Sequence, residues 1–535
     1  MAKTLYRNGS VYSAADPFAT SMVVDGDTVA WIGGEEAADR HAENVDEVID
    51  LYGALITPAF VESHTHLAAL GRTLAGADLG AADSAGALLL RVAERSGATA
   101  TLVVAQGWDN SSWADPALPS ESELTQAAAG RGYYLARRDV HSALVNQQLL
   151  DELGLRGITP GLVHGADHDA VRVALAGTAA DADYQKLALE HYAARGFGTV
   201  VEMAAPQLEG RGALDELLGL DLAELPAVYA FWGELVDQAE KAEQLIRSFP
   251  AGRVLGLGGD LRVDGSLGSH SAYLREDYTD RPGHRGTLSL SREQLTSHLV
   301  ACSQHGIQAA FHVIGDGALD TLLDAFDAAA EQIGTAKLQM CRHRIEHAEM
   351  VDEASRQRLL QYSIMVSMQP VFDAAWGAAD GMYATRLGER AAGMNNLSAM
   401  LSSGVPLVLG SDAPVTEVDG WKIVRAAMNM ANPEARISAR AAFLAQTRST
   451  YRAMGENNPL AGQLVIGAPA TFAVWSASEL AVQTPDLRIS SWSTDARAGT
   501  PMLPVVDDQI PSCLRTVRAG SILFDQLDAI TNAEF

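Results

Sequence analysis

The chain has 535 residues, too many for one compact core, so two or more domains are expected. Asp and Glu number 67 against 39 Lys and Arg, a formal charge of -28, which argues against nucleic acid or an anionic membrane as the main partner. The three cysteines (Cys302, Cys341, Cys513) suggest reduced thiols, no apolar stretch reaches the ~18 residues of a bilayer span, and Met1 to Gly9 lacks the apolar core of a signal peptide. A cytoplasmic enzyme with a small-molecule substrate is the expectation, with room for a homodimer.

Residues 1–57 read as short strands (Thr4 to Tyr12, Ser21 to Val24, Thr28 to Ile32) broken by Asn8-Gly9, Asp25-Gly26-Asp27 and Gly33-Gly34. The apolar run Ala54 to Val61 then leads into His64 and His66. On a strand, residues two apart share a face, so both imidazoles point the same way and could hold one divalent metal. A segment at about 70–195 breaks the rhythm and reads as an insertion or cap, with helical patches Ser84 to Arg95 and Asp183 to Arg195 around Leu102 to Gln106 and Tyr133 to Arg137.

From about 196 apolar runs alternate with helical stretches. The runs are Thr199 to Ala204, Ala227 to Trp232, Val254 to Val263, Ile307 to Val313, Arg342 to His347, Ile364 to Met368 and Pro406 to Leu409. Ser291 to His305, Ala318 to Ile333, Asp352 to Tyr362 and Leu387 to Ser403 read as helices between them. With the run before His64 this makes eight strands, the pattern of an α/β (β/α)8 TIM-type barrel over 58–454. Residues 455–535 return to strands at Ala470 to Trp475, Leu514 to Arg518 and Ser521 to Phe524, so 1–57 with 455–535 are expected to form one β-sandwich domain.

His64, His66, His312, His347 and Asp412 all fall at the ends of these strands, which a barrel brings to one face. Singly, His312 reads as a core histidine and Asp412 as a cap or turn residue. Together the five point to a metal site. Borderline metals accept imidazole and carboxylate, bound water becomes more acidic, and an aspartate can carry its proton to a leaving group.

The motifs Thr57-Pro58-Ala59-Phe60-Val61-Glu62-Ser63-His64-Thr65-His66, Gly107-Trp108-Asp109, Asp264-Gly265-Ser266, Phe311-His312-Val313-Ile314-Gly315-Asp316, Arg344-Ile345-Glu346-His347-Ala348, Ser367-Met368-Gln369-Pro370 and Gly410-Ser411-Asp412-Ala413-Pro414 span the chain. Through them it resembles the metal-dependent amidohydrolase superfamily, in its amidohydrolase family 3 branch of N-substituted formamide deformylase-like proteins. The resemblance implies a distorted barrel with a β-sandwich from both termini. It implies His64 and His66 on one metal, His312 and His347 at a second position, and Asp412 as ligand and proton shuttle, with His312 and His347 assisting catalysis. Zinc, as one or two ions, is the expected cofactor, with iron or manganese as alternatives. By analogy Trp108, Asp109, His141, Arg344 and Gln369 contact substrate, although Trp108 reads equally as a packing residue, and Asp316 orients a ligand histidine.

One departure stands out. Family members commonly carry a metal-bridging, carboxylated lysine where this chain has Asp260, four residues before Asp264-Gly265-Ser266. Asp260 bridges two metals, binds one, or binds none, according to how near its backbone lies. Hydrolysis of a non-peptide C–N bond (amide, formamide or cyclic amide) is the implied activity. A deaminase, an ester or lactone hydrolase, and a metal-poor small-molecule-binding barrel are the rivals. Gly315 stands where related cytosine deaminases have a glutamate, which lowers the deaminase reading.

Overall fold

The computed structural model describes residues 2–97, 102–176, 181–477, 479–483, 492–493, 500–507 and 509–528. The remaining parts of the 70–195 insertion and of the 455–535 segment lie outside the described residues.

Eight parallel strands form one sheet in chain order: β1 Phe60–Thr65, β2 Phe197–Ala204, β3 Ala227–Trp232, β4 Val254–Leu257, β5 Gln308–Val313, β6 Arg344–His347, β7 Met365–Met368 and β8 Leu407–Leu409. The sheet curls until its ends meet. Just past β8, Ala413 bridges to Thr65, the His66 amide donates to Ala413 O at 2.9 Å and the Asp412 amide donates to His64 O at 3.1 Å. Apolar runs make these strands because parallel sheets are covered on both faces, and every residue of β2 is buried. The helix Asp316–Ile333 shows how the outer ring packs. Leu319, Leu322, Leu323, Phe326 and Ala329 recur at helical spacing and are buried, while the opposite face carries Asp320, Asp324 and Asp327, paired with Arg275 and Arg358.

The structure corrects several element boundaries. The run Val254 to Val263 is not one strand: β4 stops at Leu257, because Gly258 and Gly259 take positive φ values of 126° and 83°. A Cβ on Gly258 would sit 1.8 Å from Ala310 O, so only glycine allows this close turn. Leu387 to Ser403 is not one helix either. A 3-10 turn, Gly388–Gly393, and a helix, Leu397–Ser403, flank a bend where Asn395 is left-handed and the Asn396 side chain caps the second helix.

A five-stranded sheet combines Ser10–Val11, Leu55–Pro58, Phe472–Ser476, Ser512–Arg518 and Ser521–Asp525, so strands from the two ends of the sequence pair directly. The run Thr4 to Tyr12 splits at left-handed Asn8, and Lys3–Arg7 joins a separate four-stranded sheet. The insertion has its own sheet, in the order Gly161–His164, Ser142–Val145, Tyr133–Arg137, Val103–Trp108. Trp108 belongs to its core: it packs with Leu79, Val103, Leu124 and Tyr133, and its indole donates to Leu135 O at 2.8 Å.

Candidate metal centre

The barrel brings His64, His66, Asp260, His312, His347 and Asp412 together at the C-terminal ends of its strands. Their ligand atoms fall into three overlapping groups: His64 with His66 and Asp260, His64 with His347 and Asp412, and Asp260 with His312 and His347. Asp260 sits at the middle. One carboxylate oxygen lies 4.0 Å from His64 Nε2 and 3.7 Å from His312 Nδ1, and the other 3.7 Å from His66 Nε2. The early stop of β4 explains this. After the Gly258-Gly259 turn the chain stays against β5, the Gly259 amide donating to Ala310 O and the His312 amide to Leu261 O, and this places the short Asp260 side chain at the cluster.

Asp412 Oδ1 stands 3.4 Å from both His64 Nε2 and His66 Nε2. These separations exceed ordinary hydrogen bonds of about 2.7–3.2 Å. They match the roughly 3.3 Å between neighbouring ligands of a tetrahedral ion with bonds of about 2.0–2.1 Å. His64 Nε2 and Asp412 Oδ1 are buried and have no hydrogen-bond partner among the described residues. The donor set therefore fits a divalent cation.

Neighbours assign the tautomers. His64 Nδ1 donates to Glu346 Oε2 at 2.9 Å, His347 Nδ1 donates to Gln369 Oε1 at 3.0 Å, and His312 Nε2 donates to Gly265 O at 3.1 Å. Each bond leaves the other ring nitrogen with a lone pair free to bind an ion. Glu346 is itself gripped by Arg344, whose Nη2 also donates to Ser63 O at 2.7 Å. His347 and Asp412 hold left-handed backbones, with φ of 69° and 54°, a strain that only well-determined surroundings maintain.

The charge balance points the same way. Burial disfavours charge on His66, but Asp260 and then Asp412 outweigh it and raise the imidazole to about 10. A proton and a cation compete for that nitrogen, so carboxylates that hold one also favour the other. Burial, with His312 and His64 beyond it, pushes His347 well below its ordinary value and keeps it neutral. Burial raises the Asp260 carboxyl, yet His66, His312 and His64 together hold it well below the usual range.

The residues expected to touch substrate separate into two groups. His141 lines the chamber above the cluster, its ring 4.8 Å from that of His312, and Asp109 lines a wider groove outside. Trp108, Arg344 and Gln369 line neither; Trp108 packs the insertion, and the other two hold Glu346 and His347. Asp316 does not orient a ligand histidine, because its carboxylate accepts from the amides of Arg275 and Gly317. Asp264 caps the same turn, accepting from Ile314, Gly315 and Tyr273 amides.

Sequence reading missed Glu62, which accepts from Ser411 Oγ at 2.6 Å and from the His64 amide, and Glu346. Glu62, two residues before His64, shares its strand face, which was the available signal there; Glu346, next to His347 on the strand, faces the other way and reaches His64 instead. It also missed Arg137, which is buried and pairs with both Asp109 and Asp139. Glu349, Phe372, Trp376, Met382, Tyr383 and Val415 of the chamber wall carried no signal at all.

A model of the amidohydrolase family matches residues 47–524. Protein LONG AFTER FAR-RED 3 of Arabidopsis thaliana is 27% identical over 533 residues, covering 89% of this chain and 88% of its own length. N-substituted formamide deformylase of Arthrobacter pascens is 24% identical over 440 residues, covering 76% of this chain and 79% of its own. A solved structure of an uncharacterized metal-dependent hydrolase from Pyrococcus furiosus superposes with a TM-score of 0.68 at 26% identity, covering 88% of this chain and 98% of that one.

Proposed function

We propose that this chain, which belongs to the amidohydrolase family and is a metal-dependent hydrolase, cleaves a non-peptide C–N bond in an amide, formamide or cyclic amide. The observation that carries the reading is the convergence of four imidazoles and Asp412 around the Asp260 carboxylate. In this reading His64, His66 and Asp412 hold one zinc position, His312 and His347 a second, and Asp260 lies between them. A bound divalent cation there supplies Lewis acidity, which polarises an acyl oxygen and makes water a stronger acid.

The protein's own groups do the rest. The Asp412 carboxylate, through the oxygen turned away from the ligand nitrogens, accepts the proton of the attacking water and returns it to the leaving nitrogen. Glu346, Gln369 and the Gly265 carbonyl keep the rings of His64, His347 and His312 in one tautomer, so no ring turns away during turnover. Ile314, Phe372 and Trp376 line the chamber and limit competing water. The name of the Arthrobacter relative supports a formamide as the first substrate to try.

The test is formate release from N-benzylformamide by the zinc-loaded protein, run beside N-acetyl, ester and cytosine substrates. Release that disappears in Asp412→Asn is expected. Turnover of the ester or of cytosine alone would replace the C–N amide reading with one of its rivals.

A further inference from the structure

Two spaces meet above the cluster. The inner chamber, bordered by His66, Asp260 and His312, measures about 40 Å³. A cavity needs about 10–15 Å³ to admit a water and each takes up about 30 Å³ in the liquid, so the chamber has room for one or two. The outer groove measures about 760 Å³. Trp376, Met382 and Val415 line both, so these side chains are the wall between them.

Trp376 is held on every side. It ends the helix Pro370–Trp376 and packs edge-on against Phe372 and Tyr383, with ring centroids 5.1 and 6.2 Å apart. Its indole N–H donates to Asp109 Oδ2 at 3.1 Å, and Arg137 pairs with the other oxygen of that carboxylate. The Arg138 guanidinium lies 5.1 Å from the indole centroid, and its Nε donates to Val415 O at 2.9 Å. The insertion therefore clamps two of the three wall residues through Asp109 and Arg138.

We infer that Trp376 is a specificity-determining residue: it confines the part of a substrate that reaches the cluster to a small acyl head, formyl or acetyl in size, and directs an extended N-substituent into the outer groove. The inference rests on the proposed metal centre and deepens it. A small head that replaces one or two waters fits the chamber, whereas an aromatic acyl group collides with the indole.

Access to the metal tests this without knowledge of the substrate. The full chain is loaded with zinc, and metal loss is followed in 1,10-phenanthroline, a flat three-ring chelator, and separately over bead-bound iminodiacetate, which collects only ions that have already left. For the unaltered protein, loss is expected at nearly the same rate in both. Trp376→Ala should speed loss to phenanthroline tenfold or more, in proportion to its concentration, with the bead rate unchanged. Trp376→Phe keeps the bulk but lacks the N–H that Asp109 accepts, and should give a smaller rise. A phenanthroline rate within twofold of the unaltered protein in Trp376→Ala, or one that rises only as much as the bead rate, would overturn the inference. Failure of the unaltered protein to retain zinc at all would refute the metal centre instead, and shows separately in the loading step.

Discussion

The floor beneath the histidine and aspartate cluster and the wall above it are built on opposite principles. The floor belongs to the barrel strands. Glu346, Arg344, Gln369 and Glu62 are buried there, and hydrogen bonds fix the rings and backbone above them. The wall belongs to loops and the insertion. Trp376, Met382 and Val415 offer bulk to the chamber, and Asp109 and Arg138 hold the first and the last of them in place. Chemistry that tolerates little displacement lies on strands, while selection of what enters is left to segments that vary without disturbing the sheet.

The contrast predicts different failures. The largest effect is expected at the cluster itself. Asp412→Asn should lower turnover by about 10²–10⁴-fold, the usual share of a positioned proton carrier, with an unchanged melting transition. Rates near those of the unaltered protein would remove Asp412 from the proton path.

Below the cluster the effect should move from rate to stability. Arg344→Met leaves Glu346 charged and buried without its main partner, and should cost about 3–5 kcal/mol in urea unfolding. A loss under 1 kcal/mol would mean that the floor is not rigidly paired.

The same carboxylate gives a pH test. Burial pushes Glu346 up, but Arg344 and then His64 outweigh it and bring the group down to about 2 from an ordinary 4.5. Its folded-state value is depressed, so its contribution is present above about pH 4.5 and is lost as the pH falls through about 2. That shift corresponds to about 3 kcal/mol. Urea midpoints of the metal-free protein should fall over this window, and Glu346→Gln should flatten the fall. Identical slopes for the two proteins would contradict the pairing.

The smallest effect is expected in the insertion. Trp108→Phe removes the hydrogen bond to Leu135 O and some ring area, and should cost about 1–2 kcal/mol of stability with turnover unchanged. A clear rise in KM would instead return Trp108 to the substrate site.

What the sequence revealed follows the same division. The eight strands were legible because a parallel sheet covered on both faces must be written as apolar runs, and His64, His66, His312, His347 and Asp412 were legible because each follows such a run. The reach of Asp260 was not. It depends on Gly258 and Gly259 taking positive φ, and glycine in a sequence states only that such a turn is allowed. Arg344 and Gln369 were expected to touch substrate but hold Glu346 and His347 from behind, since side-chain type does not tell whether a polar group meets substrate or the back of a histidine. Trp376 was invisible, because nothing local distinguishes an indole facing a cavity from one in a core.

The most direct test is a crystal structure of the purified protein with anomalous data collected on both sides of the zinc edge. The expected result is zinc within about 2.0–2.2 Å of His64 and His66 nitrogens, with Asp260 between that ion and a second position at His312 and His347. Anomalous peaks elsewhere in the molecule, or a zinc-loaded crystal in which Asp260 points away from every ion, would contradict the shared centre.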